Sequence, residues 1–320
     1  MRFSNHSVLI DFWRYIKKPA YQCRPVAKGA RRAIWDVLRL WSLLLVISML
    51  VGAIVTVLLM AAGYSEENHA VVDLMINQPI YVLVLLAIIW APLAEELTFR
   101  LPLKYSPFRF GFGLAFIVVL VINLLAIIWP PVTDLIPWLY PDSRIVDLLI
   151  GVGIIAVIGC TVGWILKKKT SMNAFNDFYS NKFIWLFYGS ALIFGVLHLA
   201  NYARLDQIWY LTPLLIFPQV MLGLVLGYVR MRYGLGWAML NHLIHNALLV
   251  IPAVLFSMLS ADLVKSLEYG ETVDLGNIAG HDLAILSLIG WGAMVSGIIV
   301  LILLINLIWE ASREARKIKS

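Results

Sequence analysis

Ile80-Tyr-Val-Leu-Val-Leu-Leu-Ala-Ile-Ile-Trp-Ala91 is an unbroken apolar run, and Ala91-Pro-Leu-Ala-Glu-Glu-Leu-Thr-Phe-Arg100 then closes it with two carboxylates and a guanidinium. An apolar run of this kind reads as a membrane helix, which places Glu95 and Glu96 at or below the lipid surface. An ionised carboxylate is costly there and usually functional. On a helix the two glutamates point about 100° apart, whereas Glu96 and Arg100 are four residues apart and share a face. The expected division of labour follows: Arg100 neutralises Glu96, and Glu95 is left as the carboxylate able to take a proton from water. Pro92 has no backbone donor, so it is expected to kink the helix and free a carbonyl that protein or water must satisfy.

The rest of the chain reads the same way. It has 320 residues, of which 61% are hydrophobic and only 14% charged, with a mean hydropathy of +0.85. Ordinary soluble domains are about 45–50% apolar and about 25% charged. The fold class is therefore all-α, a polytopic transmembrane helical bundle of about eight helices with a catalytic cavity within the membrane. Runs long enough to span, at roughly 20 residues each, lie near 34–62, 79–99, 109–129, 146–166, 183–200, 208–229, 236–258 and 283–309. Three regions result: a basic arm over 1–33, a transmembrane domain over 34–309, and a basic tail over 310–320. Cys23 and Cys160 are too few for a disulfide framework.

If the N-terminus is cytoplasmic and the helices alternate, all of the 25 Lys and Arg except Arg144, Arg204 and Lys265 fall on the cytoplasmic side. The positive-inside rule then puts both termini in the cytoplasm. The net charge of +6 is thus a matter of topology, and no nucleic-acid partner is implied. The arm, with Phe12, Trp13, Arg14, Tyr15, Lys17 and Lys18, lacks the features of a signal peptide and reads as an interfacial segment on anionic lipid. Gly223 and Gly227 have the spacing that lets two membrane helices approach closely. There is no internal repeat, phosphate-cradling glycine loop, CxxC pair or HExxH.

Three of the six histidines, His198, His242 and His245, lie in apolar runs, and His6, His69 and His281 lie in loops or the arm. Phe194 and His198 share a helical face, where the ring can orient the imidazole and keep it in its neutral, basic form. Asn241-His-Leu-Ile-His-Asn246 offers two pairs at i, i+4, His242 with Asn246 and Asn241 with His245. Only one pair can face a given site. A carboxylate, an imidazole and an imidazole–carboxamide pair on membrane helices make a hydrolytic centre, with water activated by Glu95 and His198 and the oxyanion held by His242 and Asn246. Glu95, His198 and His242 are equally a familiar zinc set, and the residues alone do not separate the two chemistries.

Glu95-Glu96-x-x-x-Arg100, Phe194-x-x-x-His198 and His242-x-x-x-Asn246, in that order on membrane helices and with Phe99 directly before Arg100, resemble the CPBP (Abi) family of CAAX prenyl proteases and bacteriocin-processing endopeptidases. The resemblance covers residues 80–255. It implies an intramembrane peptidase acting on a peptide or protein, prenylated or membrane-associated, in a lipid bilayer. Glu95 would be the base, His198 would assist it, Glu96 and Arg100 would support it, and His242 with Asn246 would form the oxyanion site. Members have been described both with and without a metal, and a metal-free mechanism is the expectation here, with zinc as the alternative.

Two departures from the family stand out. An additional transmembrane pair and a basic loop occupy 101–182, between the first two motifs, and Leu101 stands where the family commonly has glycine. Position along the chain also sets His198 about 22 Å beyond Phe183 at 1.5 Å per residue, so the motifs must converge by tilt or depth. A proton-coupled transporter using the same residues as a relay, or a non-catalytic immunity or scaffold protein, are the competing classes.

Overall fold

The computed structural model describes residues 7–22, 29–64, 79–129, 131–136, 144–169, 172–202, 205–260, 263 and 278–319. His6, Cys23, the acidic loop Glu66, Glu67, His69 and Asp73, Arg204, and Lys265 with most of the last loop lie outside the described residues. The described residues contain helices and no strand. In chain order the main helices are α1 (Val8–Lys17), α2 (Ala30–Ala61), α3 (Ile80–Val84), α4 (Ala91–Phe99), α5 (Pro107–Ile128), α6 (Arg144–Lys169), α7 (Met172–Leu197), α8 (Thr212–Arg232), α9 (Leu235–Ser257) and α10 (Gly280–Lys319).

Among the described residues, seven stretches are long and apolar enough to cross a bilayer: Ala30–Ala61, Ile80–Leu103, Leu149–Lys168, Asn173–Asn201, Trp209–Arg232, Leu235–Ser257 and Gly280–Lys317. The eighth expected span is α5. Its apolar part is counted as a shorter helix, Pro107–Asn123, although its backbone is helical over 22 residues. The outward faces carry exposed Leu, Ile and Trp, as on α10 at Trp291, Leu301 and Ile305. In water this would be a defect, and in lipid it is the expected surface.

The additional pair, α5 and α6, pack closely because glycines line the seam. A Cβ on Gly111 would lie 2.4 Å from the Gly159 carbonyl oxygen and 2.9 Å from the Gly163 nitrogen, while Gly159 and Gly163 lie under the rings of Phe112 and Phe108. Gly223 and Gly227 do what their spacing predicts: added Cβ atoms would come 2.9 Å from Ala191 Cα and 2.8 Å from the Phe187 ring. They let α8 press against α7.

α7 begins at Met172, well before the apolar run near Phe183. Its early turns are held by aromatics: Tyr105 stacks on Phe175 at 4.4 Å, and Tyr21 packs on Tyr179 and Phe183 at 5.3 and 5.8 Å. The arm and tail are tied into the bundle. Val8, Phe12 and Tyr15 of α1 are buried in the main core with residues such as Val37, Tyr228 and Leu307. Asp11 accepts from Arg232 (2.8 and 3.0 Å) and from the Tyr228 hydroxyl (2.8 Å). One face of the arm is thus turned on the protein, whereas Trp13 points outward. The tail continues α10 to Lys319. Glu310 pairs with Arg39 at 2.6 Å and Glu314 accepts from the Ser7 backbone N–H.

Candidate active site

The first motif sits on a helix that changes its winding. Leu85–Trp90 is a π-helical turn, and the Ala91 N–H reaches back to the Leu86 carbonyl. In that register the Ala87 carbonyl would meet the nitrogen of Pro92, which has no hydrogen. Asn246 of α9 supplies the missing donor, its Nδ2 lying 2.8 Å from the Ala87 oxygen. An orphaned carbonyl in lipid costs several kcal/mol, so this bond ties α9 to the broken helix. The carbonyl expected from Pro92 is therefore satisfied by a residue expected at the oxyanion site.

The far end of α4 is held from the other side. Ser190 of α7 donates to the Phe99 carbonyl at 2.9 Å. Arg230 of α8, itself buried, donates through Nε to the Arg100 carbonyl at 2.9 Å and through Nη2 toward the Leu101 carbonyl at 3.5 Å. These are carbonyls that a helix end leaves without intrahelical partners. Leu101 itself begins a 3₁₀ turn, Leu101–Leu103.

Between these anchors, Glu96 and Arg100 have no exposed surface, and Arg100 Nε lies 3.5 Å from Glu96 Oε1. The guanidinium makes no hydrogen bond to a described residue; instead its carbon lies 4.2 Å from the centre of the Phe194 ring. A desolvated cation–π contact is worth about 2 kcal/mol or more, which partly offsets the missing donors' partners. Glu95 is different, with 30% of its side chain exposed.

His242 lies between the two carboxylates. Its Nδ1 is 3.1 Å from Glu96 Oε1 and its Nε2 is 3.5 Å from Glu95 Oε2. An ionised carboxylate only accepts, so Nδ1 carries a proton directed at Glu96. Nε2 facing Glu95 is then compatible with one further proton, held on the imidazole or on the carboxylate. With that proton on the imidazole, Glu95, Glu96, Arg100 and His242 would carry two negative and two positive charges, and with it on Glu95 one of each, so that the set is neutral either way.

His198 begins a 3₁₀ turn at the end of α7. Its Nδ1 is 2.7 Å from the Phe194 carbonyl oxygen, so Nδ1 donates, and in the neutral imidazole Nε2 keeps the lone pair. The Phe194 ring joins the motifs: its centre lies 4.7 Å from that of His198, 5.8 Å from that of His242 and 5.7 Å from that of Phe99. Phe194 thus lies against the imidazoles of both α7 and α9. On α9 it is His242 that reaches the glutamates. Asn241 and His245 are also buried, but the Asn241 carboxamide and His245 Nδ1 have no hydrogen-bond partner among the described residues. Ile244 and Leu248, on that other face, pack on Trp41, Leu45 and Val300.

Both His242 nitrogens are turned on carboxylates and His198 Nδ1 is spent on a backbone carbonyl. Among the described residues no three His, Cys, Asp or Glu side chains are grouped as a metal site. Sequence reasoning missed Arg230 and Ser190. Arg230 was legible only as one more cytoplasmic cation, and Ser190 carried no signal.

The sequence profile of the Rce1-like group, type II CAAX prenyl endopeptidases, matches residues 77–248. The chain belongs to the Rce1-like family. The matched segment contains all three motifs and, with them, every residue just described at the carboxylates. Rce1-like membership together with the apolar helices makes the chain an integral membrane protein of the CAAX-type endopeptidase class, acting on a peptide or protein substrate. No curated protein and no solved structure matches it.

Proposed function

We propose that this chain hydrolyses a peptide bond near the C-terminus of a prenylated or otherwise membrane-associated protein, with Glu95 as the base and no metal. The observation that carries the reading is the position of His242 between a buried glutamate and a partly exposed one. Glu96, fixed by Arg100 and His242, is a structural anion. Glu95 is the carboxylate that water can reach.

In the reaction, Glu95 removes a proton from water as the water oxygen bonds to the scissile carbonyl carbon. The developing oxyanion is stabilised by the protonated His242 and by the second N–H of the Asn246 carboxamide, the first being engaged with Ala87. Glu95 then returns the proton to the leaving nitrogen as the C–N bond breaks, and the new carboxylic acid ionises. His198, with Nε2 unprotonated, accepts from the water or steers it. Phe194 positions both imidazoles. Both termini lie in the cytoplasm, which places the carboxylates within reach of a cytoplasmic substrate tail.

The test is cleavage of a farnesylated CAAX peptide by the purified full-length protein in nanodiscs, wild type beside Glu95→Gln, with and without chelator. Cleavage that survives chelation and is lost in Glu95→Gln is expected. Stoichiometric zinc lost in parallel with activity would replace the metal-free mechanism, and absence of cleavage of any prenylated or unprenylated peptide would favour the transporter or immunity readings. A reporter after Ser320 that is active only outside the cell would overturn the sidedness.

A further inference from the structure

Away from the carboxylates, a groove of about 620 Å³ lies between the start of α2 and the middle of α10, with Arg31, Arg32, Trp35, Arg39, Ile302 and Leu303 among its walls. Its two sides differ in chemistry. α2 contributes three guanidiniums and the Trp35 indole, and α10 contributes Ile302, Leu303 and the Asn306 carboxamide.

The charges in the groove are not equivalent. Arg39 is already engaged: Nη2 with Asp36 at 2.8 Å, Nη1 with Glu310 at 2.6 Å, and Nε with the Trp35 carbonyl at 3.3 Å. Asp36 and Glu310, the carboxylates at the groove, are thereby bound to it. Tyr233 also donates to Asp36, at 3.1 Å. Arg31 and Arg32 are exposed, adjacent, and in a first helical turn that holds no acidic residue. Arg313, further along α10, lies over the Trp309 ring at 4.6 Å. Among the described residues, what the groove leaves unmatched is positive charge at Arg31 and Arg32.

The apolar side opens onto lipid, since Ile302, Ile305, Ile308 and Trp309 are exposed on a membrane-crossing helix. A topology signal needs only charge; it does not need an apolar-walled groove beside that charge. An anion with an apolar body satisfies both halves. Guanidinium pairs grip phosphate oxygens through paired donors, and basic residues at a membrane surface attract anionic lipid.

We propose that this groove binds one anionic phospholipid of the surrounding leaflet, with its phosphate on Arg31 and Arg32 and the upper part of an acyl chain along Trp35, Ile302 and Leu303. The lipid closes the seam between α2 and α10. The proposal is independent of the catalytic assignment.

The test is native mass spectrometry of the full-length protein released from detergent micelles doped with phosphatidylglycerol or phosphatidylcholine. One phosphatidylglycerol retained with at least tenfold preference is expected. The Arg31→Gln/Arg32→Gln variant should lose that preference while keeping its peptidase rate in phosphatidylcholine. Trp35→Ala, which keeps both guanidiniums, should weaken retention of the lipid, and Arg313→Gln should leave it intact. Equal retention of the two lipids, displacement of phosphatidylglycerol by millimolar inorganic phosphate, or full retention by the double variant would each overturn the proposal.

Discussion

Exchanging Glu96 for Gln isolates the charge of one buried carboxylate, because the amide oxygen still accepts from His242 Nδ1 at its 3.1 Å position. What it removes is the counter-charge of Arg100, a side chain with no exposed surface, whose nearest remaining partner is the face of Phe194 at 4.2 Å. Breaking a buried ion pair by removing one member costs about 3–5 kcal/mol. At roughly 2–4 °C per kcal/mol for a chain of this order of size, Glu96→Gln should lower the melting temperature by roughly 5–20 °C. Glu95→Gln removes a charge that is 30% exposed and whose described polar contact is His242 at 3.5 Å. Its melting temperature should stay within about 2 °C of wild type, while cleavage falls on the order of 100-fold or more, the usual cost of losing a general base. The assay is thermal unfolding followed by tryptophan fluorescence in one detergent, with peptide cleavage normalised to folded protein. Arg100→Ala should track Glu96→Gln, since it removes the other half of the same pair. An active Glu95→Gln beside a folded but inactive Glu96→Gln would refute the reasoning.

Arg230→Met should lower kcat several-fold with little change in KM, because it loosens the Arg100 carbonyl without touching a substrate surface; steady-state kinetics on one prenylated peptide checks this. Asn246→Leu should lose both activity and about 1–3 kcal/mol of stability, since the Ala87 carbonyl is left unsatisfied; denaturant midpoints measure the second effect. Phe194→Leu should lower both the melting temperature and the rate of cleavage, because Arg100 and both imidazoles pack on that ring; thermal unfolding beside peptide cleavage checks this. Gly111→Ala should destabilise the α5–α6 pair by about 1–3 kcal/mol, given that its Cβ meets backbone at 2.4 Å, and leave the rate per folded molecule close to wild type.

The sequence carried much of this site because helical geometry is local. The split between Glu95 and Glu96, the shared face of Glu96 and Arg100, and the pairing of Phe194 with His198 all follow from residue spacing, and they recur in the distances at Arg100, Phe194 and His242. Spacing could not choose between His242 and His245, since that depends on which face of α9 the neighbouring helices cover. The role of Asn246 was hidden for the same reason: Pro92 announces a freed carbonyl but does not say which helix will answer it. Hydropathy found the membrane-facing part of α7 and missed the turns from Met172, whose polar residues are helical because Tyr21 and Tyr105 pack on Phe175 and Tyr179. The α1 arm was the largest gap. A short helix with one apolar face reads alike whether that face meets lipid or protein, and Asp11 gives no hint of Arg232.

That docking has a consequence for the order of synthesis. Asp11 and Arg232 are 221 residues apart, and Ser7 and Glu314 are 307 apart. At about 5–20 residues per second, the ribosome needs roughly 10–60 s between making α1 and making the groups that hold it. For that interval Val8, Phe12 and Tyr15 have no core to enter, and the bilayer surface is where an amphipathic helix can rest. The arm thus emerges ahead of the other described helices and is among the last to be placed, and its arrival marks a bundle in which α10 is already in.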